Sequence, residues 1–145
     1  MDNVWVSSGS TTIEAMVNPI AAACAGDGLE TAFVPDTVYF LDNPGLGEAL
    51  SETKVLTRIL LEQYGVESPT IKTGQVEHET DFPGIVSHFQ DAISDAHDAT
   101  ANVAVDVTPG RKFISVCGVC RFDGLVGGLH PFGEGWFARM SHNYR

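Results

Sequence analysis

At 145 residues the chain is long enough for one domain with a buried core and too short to include a second catalytic domain. Nineteen acidic side chains against eight basic ones give a formal net charge of -11, which argues against binding to double-stranded nucleic acid because a basic footprint is missing. No apolar run approaches the roughly 20 residues of a membrane helix, and the N-terminus lacks the pattern of a signal peptide, so the sequence predicts a cytoplasmic protein.

The cations are few, and only three of them are lysines: Lys54, Lys72 and Lys112. An acidic surface with little lysine is what we expect of a protein that works in concentrated salt, where the Debye length falls to about 3 Å and self-repulsion is screened. We therefore expect a halophilic source. Unfolding at low ionic strength with refolding at high salt would support this expectation, and indifference to salt would count against it.

Strand-like apolar stretches alternate with longer helical patterns along most of the chain. In chain order the pattern predicts a strand at 3–6, a helix at 13–25, a strand at 38–41, a helix at 46–64, a strand at 69–73, a helix at 82–99 and a strand at 102–107. Alternation of this kind is typical of a parallel sheet with helices on its faces. The sequence therefore predicts an α/β fold, a Rossmann-like open and mostly parallel sheet with helices on both faces.

The last part of the chain behaves differently. From Cys117 onward there are six glycines in 29 residues, and no helical or strand period survives for more than a turn. We expect a Rossmann-like domain at 1–116 and an irregular, glycine-rich segment at 117–145.

A small polar loop follows the first predicted strand. Ser8, Gly9, Ser10 and Thr11 lead toward the start of a helix, where hydroxyls and main-chain amides could hold phosphate or ribose oxygens. Residues of these types are also common in turns and helix caps, so a purely structural role remains the alternative.

A second candidate loop follows the last predicted strand. Residues 108–112 read Thr-Pro-Gly-Arg-Lys, in which Gly110 permits positive φ while Arg111 and Lys112 carry charge. In open α/β sheets, ligands bind outside the carboxyl ends of the strands. The two loops would then form one polar surface that binds a phosphate-rich ligand.

Several other chemistries are disfavoured. The chain has no G-x-G-x-x-G after the first strand and no P-loop, which argues against dinucleotide and P-loop nucleotide sites. Cys117 and Cys120 match C-x-x-C, but the motif does not open a helix after an early strand, and no second pair completes a zinc site. We read His78, His88 and His97 as solvated or capping residues, and we expect neither a metal nor a cofactor.

The two loops together resemble those of the CRISPR-associated Rossmann-fold domains, called CARF. These domains carry a Ser/Thr-rich loop after strand one and, after strand four, a Thr-Gly-Gly-Thr-Lys-like turn followed by a hydrophobic residue and Ser. The matching residues are Ser8, Gly9, Ser10 and Thr11 in the first loop and Thr108, Gly110, Lys112 and Ser115 in the second. The resemblance covers about residues 1–116. It departs at Pro109 and Arg111, and after Val116, where the family continues with a helix and a strand.

The resemblance implies a homodimer that binds cyclic oligoadenylate, the second messenger of type III CRISPR immunity, across its two-fold axis. Some CARF domains also cut the ring without a metal, because the 2′-hydroxyl of the substrate is the nucleophile. In that reading Lys112 supplies charge, Ser10 or Thr11 orients the ribose or phosphate, and the backbone near Gly110 shapes the pocket. Binding is the function that we expect first, and cleavage of the ring stays open. So do two other functions: a Rossmann-like or flavodoxin-like domain for another phosphorylated small molecule, and a non-catalytic interaction protein.

Overall fold

The computed structural model describes residues 2–27, 29–78, 80–99, 101–106, 128–132 and 135–140. Six strands and three helices occur in this part of the chain. In chain order they are β1 Asn3–Ser8, α1 Ile13–Ala25, β2 Thr37–Asp42, α2 Ala49–Gln63, β3 Thr70–Gln75, α3 Phe82–Asp98, β4 Asn102–Asp106, β5 Gly128–Phe132 and β6 Gly135–Met140.

The strands form one sheet in the order β3-β2-β1-β4-β6-β5. Strand β1 pairs in parallel with β2 on one side and with β4 on the other, and β2 pairs in parallel with β3. Strand β6 runs antiparallel to β4, and β5 runs antiparallel to β6. The predicted α/β fold with an open, mostly parallel sheet is therefore confirmed.

Helices cover both faces of the sheet. Helices α1 and α2 pack on the face that presents Trp5 and Phe40, whereas α3 packs on the opposite face, against Val6 and Val105. Because successive side chains of a strand point to opposite faces, the apolar central strands read as continuous hydrophobic runs rather than as alternating ones. This double cover explains why β1 and β4 are so strongly buried.

The helix bounds follow local backbone signals. Helix α1 has the predicted bounds. The helix predicted at 46–64 begins later, at Ala49, because Gly47 adopts a φ of 58°, which lies in the left-handed region and does not continue a right-handed helix. Helix α3 begins after Asp81, whose side chain accepts a hydrogen bond from the Gly84 amide at 3.1 Å and so caps the helix.

Within the C-terminal segment the structure describes residues 128–132 and 135–140, which form β5 and β6. Strand β5 holds a glycine and Pro131, residues that sequence patterns associate with turns. It lies at the outer edge of the sheet, a position where proline is tolerated. Strand β6 pairs with the edge of β4 that does not face β1. Because this pairing joins distant parts of the chain, no local hydrophobic period predicts it.

None of the helices in the described ranges combines the length and the apolar character that crossing a bilayer requires.

Candidate functional site

The winding direction of the sheet reverses at β1. The chain moves outward from β1 to β2 and β3, and then returns to place β4 on the other side of β1. In open parallel sheets such a reversal leaves a crevice outside the carboxyl ends of the two central strands. Here these ends are aligned, because Ser7 of β1 lies opposite Asp106 of β4.

The end of β1 is tied closely to the end of β2. The Gly9 amide donates a 2.9 Å hydrogen bond to the Leu41 carbonyl. A Cβ atom at residue 9 would collide with this carbonyl and with the side chain of Leu46. The glycine is therefore required for the close packing of two strand ends.

The predicted loop residues differ in their exposure. Ser8 and Gly9 are buried, Ser10 is half-buried and Thr11 is exposed. The Thr12 amide donates to the Ser10 hydroxyl oxygen at 3.1 Å, and the Ser10 amide approaches the Met16 sulfur at 3.3 Å. Ser10 thus shapes the turn into α1, and its hydroxyl keeps a proton to donate to a ligand oxygen.

The N-terminus of α1 faces this turn without a side-chain cap. Thr12 occupies the N-cap position with extended backbone angles, and its side chain makes no capping hydrogen bond. The first amides of a helix carry a partial positive charge and bind anions. Glu14 in the first turn already places one negative charge at this helix end.

Asp106 lies opposite Ser7 at the end of β4. It is fully buried at the carboxyl end of β4. By strand alternation it lies on the face of Trp5 and Ala104, the face that α1 and α2 cover. Between residues 1 and 106 the cations are Lys54, Arg58 and Lys72, and they lie within α2 and β3, away from the ends of β1 and β4. The described residues up to Asp106 therefore place main-chain donors and no cation at the ends of β1 and β4.

An open groove adjoins the crevice at the ends of β2 and β3. Its volume is about 490 Å³. The lining residues are Asp42, Asn43, Pro44, Gln75, Val76 and Glu77. Two carboxylates and two amides make this groove suited to ligand groups that donate hydrogen bonds rather than to phosphate.

His88 corrects one expectation from the sequence. Its side chain is only 8% exposed, so it is neither solvated nor a cap, whereas His78 and His97 are exposed as expected. The ring lies over Gly74, where a Cβ atom would collide with Nδ1. The spacing of His88 within the buried stripe of α3, three residues after Ile85, could have revealed its burial.

The protonation state of His88 follows from that burial. Burial lowers the pKa of His88 to about 4, against smaller raising effects from the main chain of Ser7 and the charge of Asp91. Nε2 of His88 has no hydrogen-bond partner among the described residues. At neutral pH His88 is therefore an uncharged imidazole between α3 and the ends of β1 and β3.

The second predicted loop lies outside the described residues. This applies to Thr108, Gly110, Arg111, Lys112 and Ser115, and also to Cys117 and Cys120. The remaining cysteine, Cys24 of α1, is buried in the core, and burial raises the pKa of its thiol to about 11. In the described part of the chain, no cluster of three or more His, Cys, Asp or Glu side chains is arranged to hold a metal ion.

Comparison with known proteins returns no match, either to a family model, to a curated protein or to a solved structure.

Proposed function

We propose that this protein is a cytoplasmic, homodimeric sensor that binds cyclic oligoadenylate at the carboxyl ends of β1 and β4. The observation that carries the proposal is the position of the first loop. Ser8 ends β1 at the point where the winding reverses, and Gly9 and Ser10 follow it in the loop that leads to α1, whose N-cap Thr12 makes no side-chain hydrogen bond. A ring with repeated phosphates presents the same groups to the same loop in each subunit of a two-fold dimer.

The cations between residues 1 and 106 lie on α2 and β3 rather than at the ends of β1 and β4. The phosphates then need the amides of the α1 N-terminus, together with Arg111 and Lys112 of the second loop. In a protein of net charge -11, these two cations are the groups we expect to decide anion affinity.

Cleavage of the ring is a separate activity that the binding proposal does not require, and its steps would be as follows. The ribose 2′-hydroxyl attacks the adjacent phosphorus, the bond to the 5′-oxygen breaks, and that oxygen takes up a proton. The products are a 2′,3′-cyclic phosphate and a free 5′-hydroxyl on a linear chain. Ser10 orients the ribose or the phosphate, and Lys112 stabilises negative charge in the transition state.

A thermal-shift panel in high salt tests the proposal. The ligands are cyclic tetra-adenylate, cyclic hexa-adenylate, adenosine monophosphate and flavin mononucleotide. We expect one cyclic ligand to raise the melting temperature, and a chromatographic assay on that ligand then distinguishes a sensor from a ring nuclease. A response to flavin or the mononucleotide alone would instead indicate a domain for another phosphorylated small molecule. No response to any ligand would favour an interaction protein.

The matched variants are Lys112→Ala and Lys72→Ala. Each removes one positive charge, but Lys72 lies within β3 and donates to the Tyr39 hydroxyl at 3.1 Å, away from the crevice. We expect Lys112→Ala to weaken binding by about tenfold or more and Lys72→Ala to leave it nearly unchanged. Equal affinities of Lys112→Ala and the wild type would contradict the role given to Lys112.

A further inference from the structure

One corner of the molecule, made by α2 and the edge strand β3, has properties that the ligand proposal does not use. Among the described residues β3 pairs only with β2, so its other edge is open. The amides of Thr70 and Val76 donate to carbonyls at the two ends of β2, at 2.9 and 3.1 Å. Since main-chain groups alternate in direction along a strand, those of Ile71 and Thr73 point to the open edge, where they can pair with another strand.

The lysine in β3 does not protect this edge. Lysine side chains on an edge strand often prevent another strand from pairing there. Lys72 Nζ instead donates to Tyr39 Oη at 3.1 Å and lies 5.1 Å from the centre of the Tyr39 ring, so its side chain folds inward over β2. Strand β3 contains no proline, whereas β5 at the other edge contains Pro131, which removes a ladder donor. Of the two edges, that of β3 is therefore the better one for an added strand.

An apolar groove adjoins the open edge. Val55 and Ile59 of α2 are 58% and 47% exposed and lie one helical turn apart. Ile71 links them to β3, because it packs on the face of the sheet that α2 covers. The groove has a volume of about 370 Å³ and is lined by Ser51, Lys54, Val55, Arg58, Ile59 and Ile71. A strand added beside β3 would direct every second side chain toward this groove, where apolar groups would leave water.

The charge of the groove indicates the chemistry of its partner. The lining includes Lys54 and Arg58 and no carboxylate. Arg58 Nη1 donates to the Pro69 carbonyl at 3.1 Å, which holds the guanidinium beside the start of β3 and leaves its other N–H groups able to donate. Ammonium and guanidinium groups bind carboxylates through charge-assisted hydrogen bonds. Side chains that complement the groove therefore combine apolar groups with carboxylates.

We infer that the α2–β3 corner binds an extended segment of another protein, which joins β3 as an added strand and directs apolar and acidic side chains into the groove. Main-chain hydrogen bonds to Ile71 and Thr73 supply affinity, and contacts with the groove select the sequence. This surface is separate from the ends of β1 and β4, so the inference goes beyond the ligand proposal and does not depend on it. It also leaves those ends uncovered, so that two subunits can still share a ligand.

The first test measures the binding of two synthetic peptides by fluorescence anisotropy, with the full chain in high salt and without nucleotide. The acidic probe is Asp-Thr-Val-Thr-Val-Thr-Glu with blocked ends and a dye, and its Asp, Val and Glu side chains share one face of a strand. The basic probe has Lys in place of Asp and Glu. High salt screens the long-range attraction of an acidic protein for a basic peptide, so contacts in the groove decide the result. We expect a dissociation constant of about 100 μM for the acidic probe and at least about tenfold weaker binding of the basic one.

Two apolar positions on one helix show where the acidic probe binds. Val55→Glu places a charge in the groove, and Leu56→Glu places one at a neighbouring residue that is 44% exposed but does not line the groove. We expect Val55→Glu to weaken binding by about tenfold or more and Leu56→Glu to weaken it by less than about threefold. Circular dichroism of every variant checks that the chain is folded.

A second pair of variants tests the cations at constant net charge. Lys54→Gln with Arg58→Gln and Ser87→Glu with Gln90→Glu each lower the net charge by two, but Ser87 and Gln90 are exposed positions on α3. We expect only the first pair to weaken binding of the acidic probe by about tenfold, since long-range repulsion rises equally in both.

Hydrogen exchange of the isotope-labelled chain, followed by NMR, tests the added strand itself. The amides of Ile71 and Thr73 gain partners when a strand joins the edge, whereas the amide of Lys72 already faces β2. We expect a saturating amount of the acidic probe to slow exchange of the first two amides by about tenfold and to change that of Lys72 little.

Three results would overturn the inference: no binding of the acidic probe below about 1 mM, equal binding of the basic probe, or binding that leaves the exchange of Ile71 and Thr73 unchanged. Two results would assign the corner to another occupant and so overturn it as well. One is binding of single-stranded oligothymidylate that Lys54→Gln with Arg58→Gln abolishes, and the other is a dimer of the free chain that Val55→Glu alone dissociates. None of these results affects the thermal-shift panel, because that panel reads ligand binding at the carboxyl ends of β1 and β4, so the two proposals can fail separately.

Discussion

Strands β1 and β3 run in the same direction in one sheet and have the same length, yet they differ completely in burial. Five of the six residues of β1 are buried, and none of β3 is. Strand β1 has neighbours on both sides and helices on both faces, whereas β3 has one neighbour among the described strands. The comparison separates a buried centre, where neighbouring strands and helices surround each residue, from an exposed edge, where fewer atoms surround each residue.

The strongest test of the packing at the buried centre of the sheet is Gly9→Ala. The added Cβ atom would strike the Leu41 carbonyl, which cannot move because it accepts the Gly9 amide and belongs to a central strand. We expect a loss of about 3 kcal/mol in the free energy of unfolding. Denaturant unfolding at fixed salt measures it.

Gly47→Ala is the control for that substitution. Gly47 also has an unusual backbone, with a φ of 58°, but a Cβ atom added there would meet nothing within 4 Å. We expect a cost of about 1 kcal/mol from backbone strain alone. Equal costs at residues 9 and 47 would show that the end of β1 is not packed tightly.

The pH dependence of the free energy of unfolding tests whether burial keeps the His88 imidazole uncharged. The pKa of His88 is about 4 in the folded chain, below the ordinary value of 6.5, so the unfolded chain takes up the proton first as pH falls. The stability contribution is complete above about pH 6.5, falls as pH drops from 6.5 toward 4, and its loss amounts to about 3 kcal/mol.

His88→Gln is the reference for this experiment, because it removes the titration while the carboxylates titrate as before. We expect the wild type to lose more stability than this variant between pH 6.5 and pH 4, as measured by denaturant unfolding at several pH values. Parallel profiles for the two proteins would mean that His88 is not held neutral by burial.

Two valine substitutions compare the free energy contributed by a buried residue of β1 with that of an exposed residue of α2. Val6 of β1 is fully buried, whereas Val55 of α2 is 58% exposed. We expect Val6→Ala to cost about 2 kcal/mol and Val55→Ala less than about 0.5 kcal/mol in the monomer. Unfolding of dilute protein gives both values, and a large cost at Val55 under these conditions would contradict its assignment to the exposed surface.

The smallest effect is expected for the exposed hydrogen bonds that join Lys72, Tyr39 and Asp95. Lys72 Nζ donates to Tyr39 Oη at 3.1 Å, and Tyr39 Oη donates to Asp95 Oδ2 at 3.4 Å. The hydrogen bond to Tyr39, with the nearby charge of Asp95, raises the pKa of Lys72. We expect Tyr39→Phe to cost less than about 1 kcal/mol at low salt and less in high salt, because exposed pairs are screened.

Much of the fold could be predicted from local patterns. The helix at 13–25 has its predicted bounds, and the strand predicted at 3–6 extends to Ser8. Both depend on periodicity and on capping or turn residues that lie within the element itself. By contrast, β5 and β6 were not predicted, because a short strand containing glycine and proline has no local signature and depends on pairing with a distant strand.

The candidate site was predicted only in part. The sequence placed Ser8 and Gly9 after the first strand, and the structure brings them to the reversal of the sheet. It did not indicate that Gly9 packs against Leu41 or that Asp106 lies opposite Ser7, since these residues are far apart in the chain. The sequence indicates the burial of His88 only weakly. Its position falls in the apolar stripe of α3, but a histidine side chain is polar.

The amino-acid sequence by itself determined the order and type of the first seven elements and the acidic character of the chain, because side-chain periodicity and charge are local properties. Tertiary structure alone decided the strand order, the neighbours of Gly9, and the pairing of Ser7 with Asp106. Those features arise when elements separated by tens of residues pack together, and the free energy of that packing cannot be read from any single segment.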